Sequence, residues 1–191
     1  MTQLRLVLAS ASPRRRALLA QIGVVPDEVV ATDIDESPLP GELPRYCVLR
    51  LARAKAAAAA APGVFVLAAD TVVAVGRRML PKAADPDQAR ACLRLLSGRR
   101  HRVLTAVVVI APDGRRAERL SDSTVGFVRL TEAQIETYLT GGEWLGKAGG
   151  YAIQGQAAAF IRWLAGSYSG VVGLPLFETA QLLRGLGFPL P

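Results

Sequence analysis

The sequence predicts an α/β fold built on a mixed β-sheet, and three observations lead there. Apolar strand-type runs and helix-type segments alternate along the 191 residues. A long hairpin near 102–130 interrupts that alternation, which a purely parallel sheet does not accommodate. The composition, 51% hydrophobic and 20% charged, can fill a packed core and excludes whole-chain disorder. The length suits one domain and no linker separates two cores, so residues 1–191 read as a single domain.

The elements follow in order. LRLVLA, Leu4–Ala9, is a short buried strand. After the Ser10-Ala11-Ser12 turn, Ser12 suits an N-cap and Pro13 the first helical position; this helix runs to about Ile22 and stops at Gly23. A second strand falls in VVATDIDES, followed by an acidic loop holding Asp33, Asp35 and Glu36. A helix from Pro44 to about Ala61 ends at Pro62-Gly63. VFVLAAD and TVVAV form two apolar β-type runs around one carboxylate, Asp70. Asp85-Pro86 opens a helix that ends at Ser97-Gly98. Strands over Arg102–Ala111 and Thr124–Leu130 flank the turn signal Pro112-Asp113-Gly114. Thr131 to Gln134 is a capping box for a helix reaching about Thr140. A glycine-rich loop, Gly141–Gly150, a strand near Ala158–Leu164 and a helix from Pro175 to Leu186 complete the chain.

Composition excludes several function classes. The apolar stretch Ala56–Ala69 is 14 residues long and contains Pro62-Gly63, whereas a membrane-spanning helix needs about 20. No signal peptide is read at the N-terminus. Two cysteines, Cys47 and Cys92, and one histidine, His101, cannot supply zinc-ligand spacing. Both cysteines read as buried free thiols, which points to a reducing, cytoplasmic setting. Aromatics are too sparse for a nucleic-acid stacking platform. The net charge of +7 nevertheless calls for an anionic partner. Twenty of the basic residues are arginine; the three lysines are Lys55, Lys82 and Lys147. Lysine supplies a compact, rotatable ammonium, so its retention at three places marks them for inspection.

Three segments carry chemistry. Ser10-Ala-Ser12-Pro-Arg14-Arg15-Arg16 ends a strand and starts a helix, where backbone N–H groups already attract anions. Three arginines there oppose the helix dipole unless an anion binds. The apolar stripe Leu18, Leu19 and Ile22 turns Arg15 inward, leaves Arg14 at the margin and sends Arg16 to solvent. Asp70 stands alone in apolar surroundings, so if buried it needs a cation, a metal or several donors; a turn-capping aspartate in a hairpin is the plainer alternative. The third segment, GGEWLGKAGGYAIQ, Gly141–Gln154, brackets Lys147 with five glycines and is neither a Walker A loop nor a Rossmann loop. Taken alone, Glu36 reads as a solvated carboxylate, Lys82 as a loop lysine and His101 as a strand-edge histidine bonded locally.

Together these pieces resemble the Maf family of nucleoside triphosphate pyrophosphatases. The resemblance rests on LASASPRRRALLAQIG at 8–23, RLARAKA at 50–56, AADTVV at 68–73, LSGRRHRVLTAVVV at 96–109, KAGGYAIQG at 147–155 and GSYSGVVGLPLFET at 166–179. It implies an elongated mixed sheet with flanking helices and two lobes around a central cleft. It also implies an often dimeric cytoplasmic enzyme that cleaves a nucleoside triphosphate to monophosphate and pyrophosphate with a divalent cation, Mg²⁺ or Mn²⁺. The DTVV and KAGxYxIQG variants are similar to the branch acting on dTTP and UTP, with house-cleaning of modified nucleotides as a related role.

Carried over by that resemblance, Asp70 is the proton acceptor. Ser10, Arg14, Arg15, Lys55 and Lys82 bind phosphates, and Glu36 is the loop glutamate. Arg14, Thr71 and Gln154 set specificity. Lys147 joins the substrate-binding set, and Asp70 and Glu36 are the candidates to hold the metal. The chain departs from the family pattern at Ala83, where proline is usual, and at Trp144 and Gly146, where proline and aspartate are usual. Two rivals stand beside this reading: a non-catalytic nucleotide- or nucleic-acid-binding regulator of cell division, and the same reaction on a modified purine nucleotide.

Overall fold

The computed structural model describes residues 4–190. Seven strands form a mixed sheet flanked by helices, as expected. β1 (Leu6–Ala9) pairs in parallel with β2 (Glu28–Val29) and with the start of β3 (Phe65–Val75). All other pairings are antiparallel: β3 with β4 (Arg78–Leu80) and β5 (Arg100–Ile110), β5 with β6 (Arg116–Phe127), and β6 with β7 (Ile161–Ala165). The strand order is β2-β1-β3-β5-β6-β7, with β4 on the free side of β3.

Strand alternation sends successive side chains to opposite faces. On one face Leu6, Leu8, Phe65, Leu67, Val107 and Val109 pack against α1 (Pro13–Gln21) and α6 (Leu176–Gly185). On the other, Val7, Val66, Ala68 and Ala106 meet α2 (Pro44–Ala58) through Val48, Ala52 and Ala56. The far end of the sheet is covered by α3 (Pro86–Leu96) and α4 (Glu132–Thr140), which bring Leu93, Leu96, Ile135 and Tyr138 onto Val73, Val103 and Phe127. Because both faces are covered, the central strands are continuous apolar runs.

The capping signals at 85 and 131 hold. Asp85 accepts from the Gln88 amide, and Thr131 with Gln134 forms a reciprocal capping box. Ser12 occupies its N-cap position without a side-chain cap; its amide instead donates to Ser10 Oγ at 3.2 Å. Both cysteines are free and buried.

Several expectations need correction. The two runs around Asp70 are one strand, β3, so Asp70 lies mid-strand rather than in a hairpin turn or at a strand's end. A carboxylate is tolerated there because α2 brings a lysine onto it. β2 shrinks to two residues, α2 stops at Ala58, and the hairpin strands extend to 100–110 and 116–127. Long antiparallel pairing brings polar residues such as Arg102 and Asp122 within hydrogen-bond reach diagonally across the strands, which apolar patterning does not reveal. The expected strand at 158–164 splits into a 3₁₀ turn (Gln156–Phe160) and β7. A short helix, α5 (Tyr168–Val172), capped by Ser167, adds to the elements that patterning predicts. Among the described residues, no helix is long and apolar enough to cross a membrane.

Candidate active site

The site forms where the sheet is interrupted. β1 pairs with β3 only as far as Ala9 opposite Ala68, and β4 joins β3 only from Val73 onward. Between them, residues 70–72 have no strand neighbour on that side. Alternation then presents Asp70 to the α2 face and Thr71 to the α1 face of the same gap. A cleft of about 320 Å³ opens there, lined by Ser10, Arg14, Arg15, Lys55, Lys147 and Gln154 among others. An adjoining bay of about 340 Å³ reaches Asp70; the two spaces share Glu36, Thr71, Lys82 and Ala148.

On the α2 face, Lys55 is 6% exposed and Asp70 is 2% exposed. The Lys55 ammonium donates to Asp70 Oδ1 at 2.6 Å and pairs with Glu36 Oε1 at 2.5 Å. Glu36 in turn accepts from Lys82. Burial resists ionisation of Glu36, but the hydrogen bonds and charges of Lys55 and Lys82 prevail and hold its carboxyl down at about 2. Glu36 and Lys82, read in isolation as solvent-facing, are therefore paired with each other across the mouth of the site.

On the α1 face, Arg15 is buried as its helical position requires, Arg14 is half-buried, and Arg16 is exposed. Arg15 donates from Nε to the Gly173 carbonyl at 2.8 Å, from Nη1 to Ser10 Oγ at 3.0 Å and from Nη2 to Thr71 Oγ1 at 3.3 Å. Five guanidinium N–H donors against three bonds leave two for a ligand. Burial lowers the pKa of Arg15, opposed mainly by the charge of Asp70. Burial likewise lowers the pKa of Arg14, and that of Lys147, where the Arg14 charge adds to the effect. Among the described residues, the salt bridges include none of Arg14, Arg15 and Lys147. Three cations thus converge on one cleft without a direct ion pair, although the charges of Asp70 and Glu36 act on Arg15 from a distance, and an anion would satisfy them.

Lys82 and Lys147 are brought together by backbone pairing of their two loops. Ala83 N donates to the Lys147 carbonyl at 3.2 Å, Gly146 N to the Ala83 carbonyl at 2.8 Å, and Gly149 N to the Pro81 carbonyl at 3.0 Å. A proline at 83 would lack the first donor, so the departure from the family pattern there adds a hydrogen bond. Gly149 admits Val73: a Cβ would come within 2.9 Å of that side chain, and φ is +71°. Trp144 is buried and donates from Nε1 to the Leu139 carbonyl at 2.8 Å.

Gln154 is exposed at the cleft's edge. The next residue, Gly155, leaves room for the Glu143 carboxylate, whose Oε2 would lie 2.1 Å from a Cβ there and accepts from the Gln156 amide at 2.9 Å; a larger residue would displace that side chain. His101 stands at the start of β5 as expected, but it is buried and its partner is not local: its Nε2 lies 2.8 Å from the hydroxyl of Tyr151, a cleft residue fifty positions away. Burial pushes the His101 pKa down to about 4. Sequence reasoning did not single out Tyr151, Thr105 or Gly173. All three lie inside the segments that carry the family resemblance, and Gly173 is a glycine with φ +139°.

Among the described residues, no three His, Cys, Asp or Glu side chains group to hold a metal. Asp70 and Glu36 are a pair of carboxylates sharing one ammonium. Two carboxylates completed by phosphate oxygens of a ligand are a usual Mg²⁺ donor set, so these residues fit a divalent cation that arrives with a phosphate-bearing ligand.

Fold and site together define an α/β protein with a cationic cleft at a break in a mixed sheet. Residues 5–186 match the family described as Maf-like protein, and the chain belongs to that family. A dTTP/UTP pyrophosphatase of Granulibacter bethesdensis is 65% identical, covering 96% of this chain and 93% of its own. Those of Novosphingobium aromaticivorans and Caulobacter vibrioides are 63% and 62% identical, covering 95% and 96% of this chain and 92% and 96% of their own.

Proposed function

We propose that the chain hydrolyses dTTP and UTP to the nucleoside monophosphate and pyrophosphate. The observation that carries this reading is the juxtaposition of three cations outside any salt bridge among the described residues, Arg14, Arg15 and Lys147, with the Asp70–Lys55–Glu36 network at one gap in the sheet. Relatives that share 62–65% of its residues bear that activity in their names.

A triphosphate brings about four negative charges, which guanidinium forks and lysine ammoniums offset. Ser10 Oγ accepts from Arg15 and from the Ser12 amide, so its own proton remains for a phosphate oxygen. Asp70 holds the attacking water and takes its proton while the oxygen adds to the α-phosphorus. The bond from that phosphorus to the bridging oxygen then breaks, and pyrophosphate leaves with the bridging electrons. Arg14, Arg15, Lys82 and Lys147 receive the leaving group. A divalent cation, Mg²⁺ or Mn²⁺, held by Asp70 and Glu36 would supply additional neutralisation of phosphate charge.

The reading carries a nucleotide as partner and, on the family resemblance, a homodimer. The free thiols of Cys47 and Cys92 support a cytoplasmic setting. The test is pyrophosphate and monophosphate release from dTTP, UTP, CTP, GTP and ATP with Mg²⁺ or Mn²⁺, and with EDTA. Release from dTTP and UTP, abolished by EDTA, is expected. No release from any nucleotide by folded protein, together with salt-dependent DNA binding, would favour the non-catalytic regulator instead.

A further inference from the structure

We infer that Thr105, a strand residue outside the cleft lining, fixes the hydrogen-bond polarity of Thr71, so that Thr71 selects a base carrying an N–H donor. The inference rests on the nucleoside triphosphate reading and adds a positioning residue and a selection rule to it. Thr71 and Thr105 lie opposite each other on β3 and β5, and Thr105 is fully buried. Thr105 Oγ1 lies 2.7 Å from the Gly170 carbonyl, which can only accept, so the single Thr105 proton is spent there. Thr71 Oγ1 lies 3.0 Å from Thr105 Oγ1. That contact is a hydrogen bond only if Thr71 donates, since Thr105 has no second proton. Arg15 Nη2 donates to Thr71 Oγ1 as well. With its proton directed to Thr105 and one lone pair engaged by Arg15, Thr71 offers the cleft one acceptor and no donor.

The opposite polarity holds at Ser10, whose oxygen accepts twice and whose proton is free. Phosphate oxygens only accept, so Ser10 suits them and Thr71 repels them. What faces Thr71 must bring an N–H or O–H. Its side of the cleft continues along Val73, Ile153, Val171 and Val172, an apolar wall suited to a flat base. Gly173 adjoins this end of the cleft: a Cβ there would touch both Arg15 Nε, at 3.7 Å, and Thr71 Oγ1, at 3.8 Å. Thymine and uracil present an imide N–H on their pairing edge, whereas cytosine presents a bare acceptor nitrogen at the same position. Thr71 therefore accepts from the imide and rejects cytosine.

Thr105→Val removes the fixed acceptor while keeping shape, and frees the Thr71 proton to turn into the cleft, where it can donate to cytosine. The experiment measures kcat/KM for UTP, CTP and N3-methyl-UTP with the wild type, Thr105→Val and Thr105→Ser; Thr105→Ala carries the same readout should the valine variant not fold. The UTP/CTP ratio is expected to fall about tenfold in Thr105→Val and to return in Thr105→Ser. N3-methyl-UTP should stay poor throughout, because it has neither donor nor lone pair at that nitrogen. Equal kcat/KM for UTP and CTP in the wild type, or an unmoved ratio in Thr105→Val, overturns the inference. A parallel rise of CTP and N3-methyl-UTP overturns it too, since that marks a loosened cleft. Cleavage of UTP with an unmoved ratio defeats this inference alone; no cleavage of UTP or dTTP defeats the functional reading and this with it.

Discussion

Asp70→Asn is expected to lower turnover of dTTP and UTP by about 10²–10⁴-fold, the range a positioned general base contributes. Asparagine has nearly the same shape, so it occupies the same place in β3 opposite Ala106. Its amide cannot take a proton from water, and it presents no charge to the Lys55 ammonium, which retains Glu36 at 2.5 Å. Folding is therefore expected to persist, and a thermal melt beside the kinetics checks it. Turnover within about tenfold of the wild type in a folded variant would remove Asp70 from the role of proton acceptor.

Lys55→Met is expected to cost stability as well as activity. The substitution leaves the Asp70 carboxylate, 2% exposed, without its ammonium. Breaking a buried pair from one side costs about 3–5 kcal/mol, because the remaining charge is uncompensated. The effect depends on pH through Glu36. Its folded pKa, about 2, lies below its ordinary 4.5, so the clamp contributes stability above pH 4.5 and loses it as pH falls through 2. The gap in unfolding free energy between wild type and Lys55→Met should accordingly be full above pH 4.5 and narrow below it. Urea titrations across that range measure it. A gap that widens with acid would mean that Lys55 stabilises the fold by something other than these carboxylates.

Much of this was legible in the residues. Arg15 could be placed inward and Arg16 outward because helical periodicity relates them to Leu18 and Leu19, and the structure agrees. The helix start at Asp85-Pro86 and the capping box at Thr131 are local chemistry and appear where expected. Asp70 was conspicuous as a lone carboxylate, yet its neighbours were not: Lys55 is fifteen residues away on another element, and Glu36 lies in a loop whose own sequence reads as solvated. The partner of His101 and the pairing of Thr71 with Thr105 depend on strand register and loop closure across long separations. No period in the sequence encodes those contacts. The length of β3 is hidden from the sequence for a related reason, since only the arrival of α2 makes a mid-strand carboxylate tolerable.

Everything proposed for the site turns on water attacking the α-phosphorus, with pyrophosphate as the leaving group. Hydrolysis of UTP in ¹⁸O-labelled water, followed by mass spectrometry of both products, tests this most directly. The account predicts one ¹⁸O in UMP and none in pyrophosphate. Label in pyrophosphate instead would place the attack on the β-phosphorus, and label in inorganic phosphate with UDP formed would place it on the γ-phosphorus. Either result would contradict the arrangement of Asp70 and the four cations argued above.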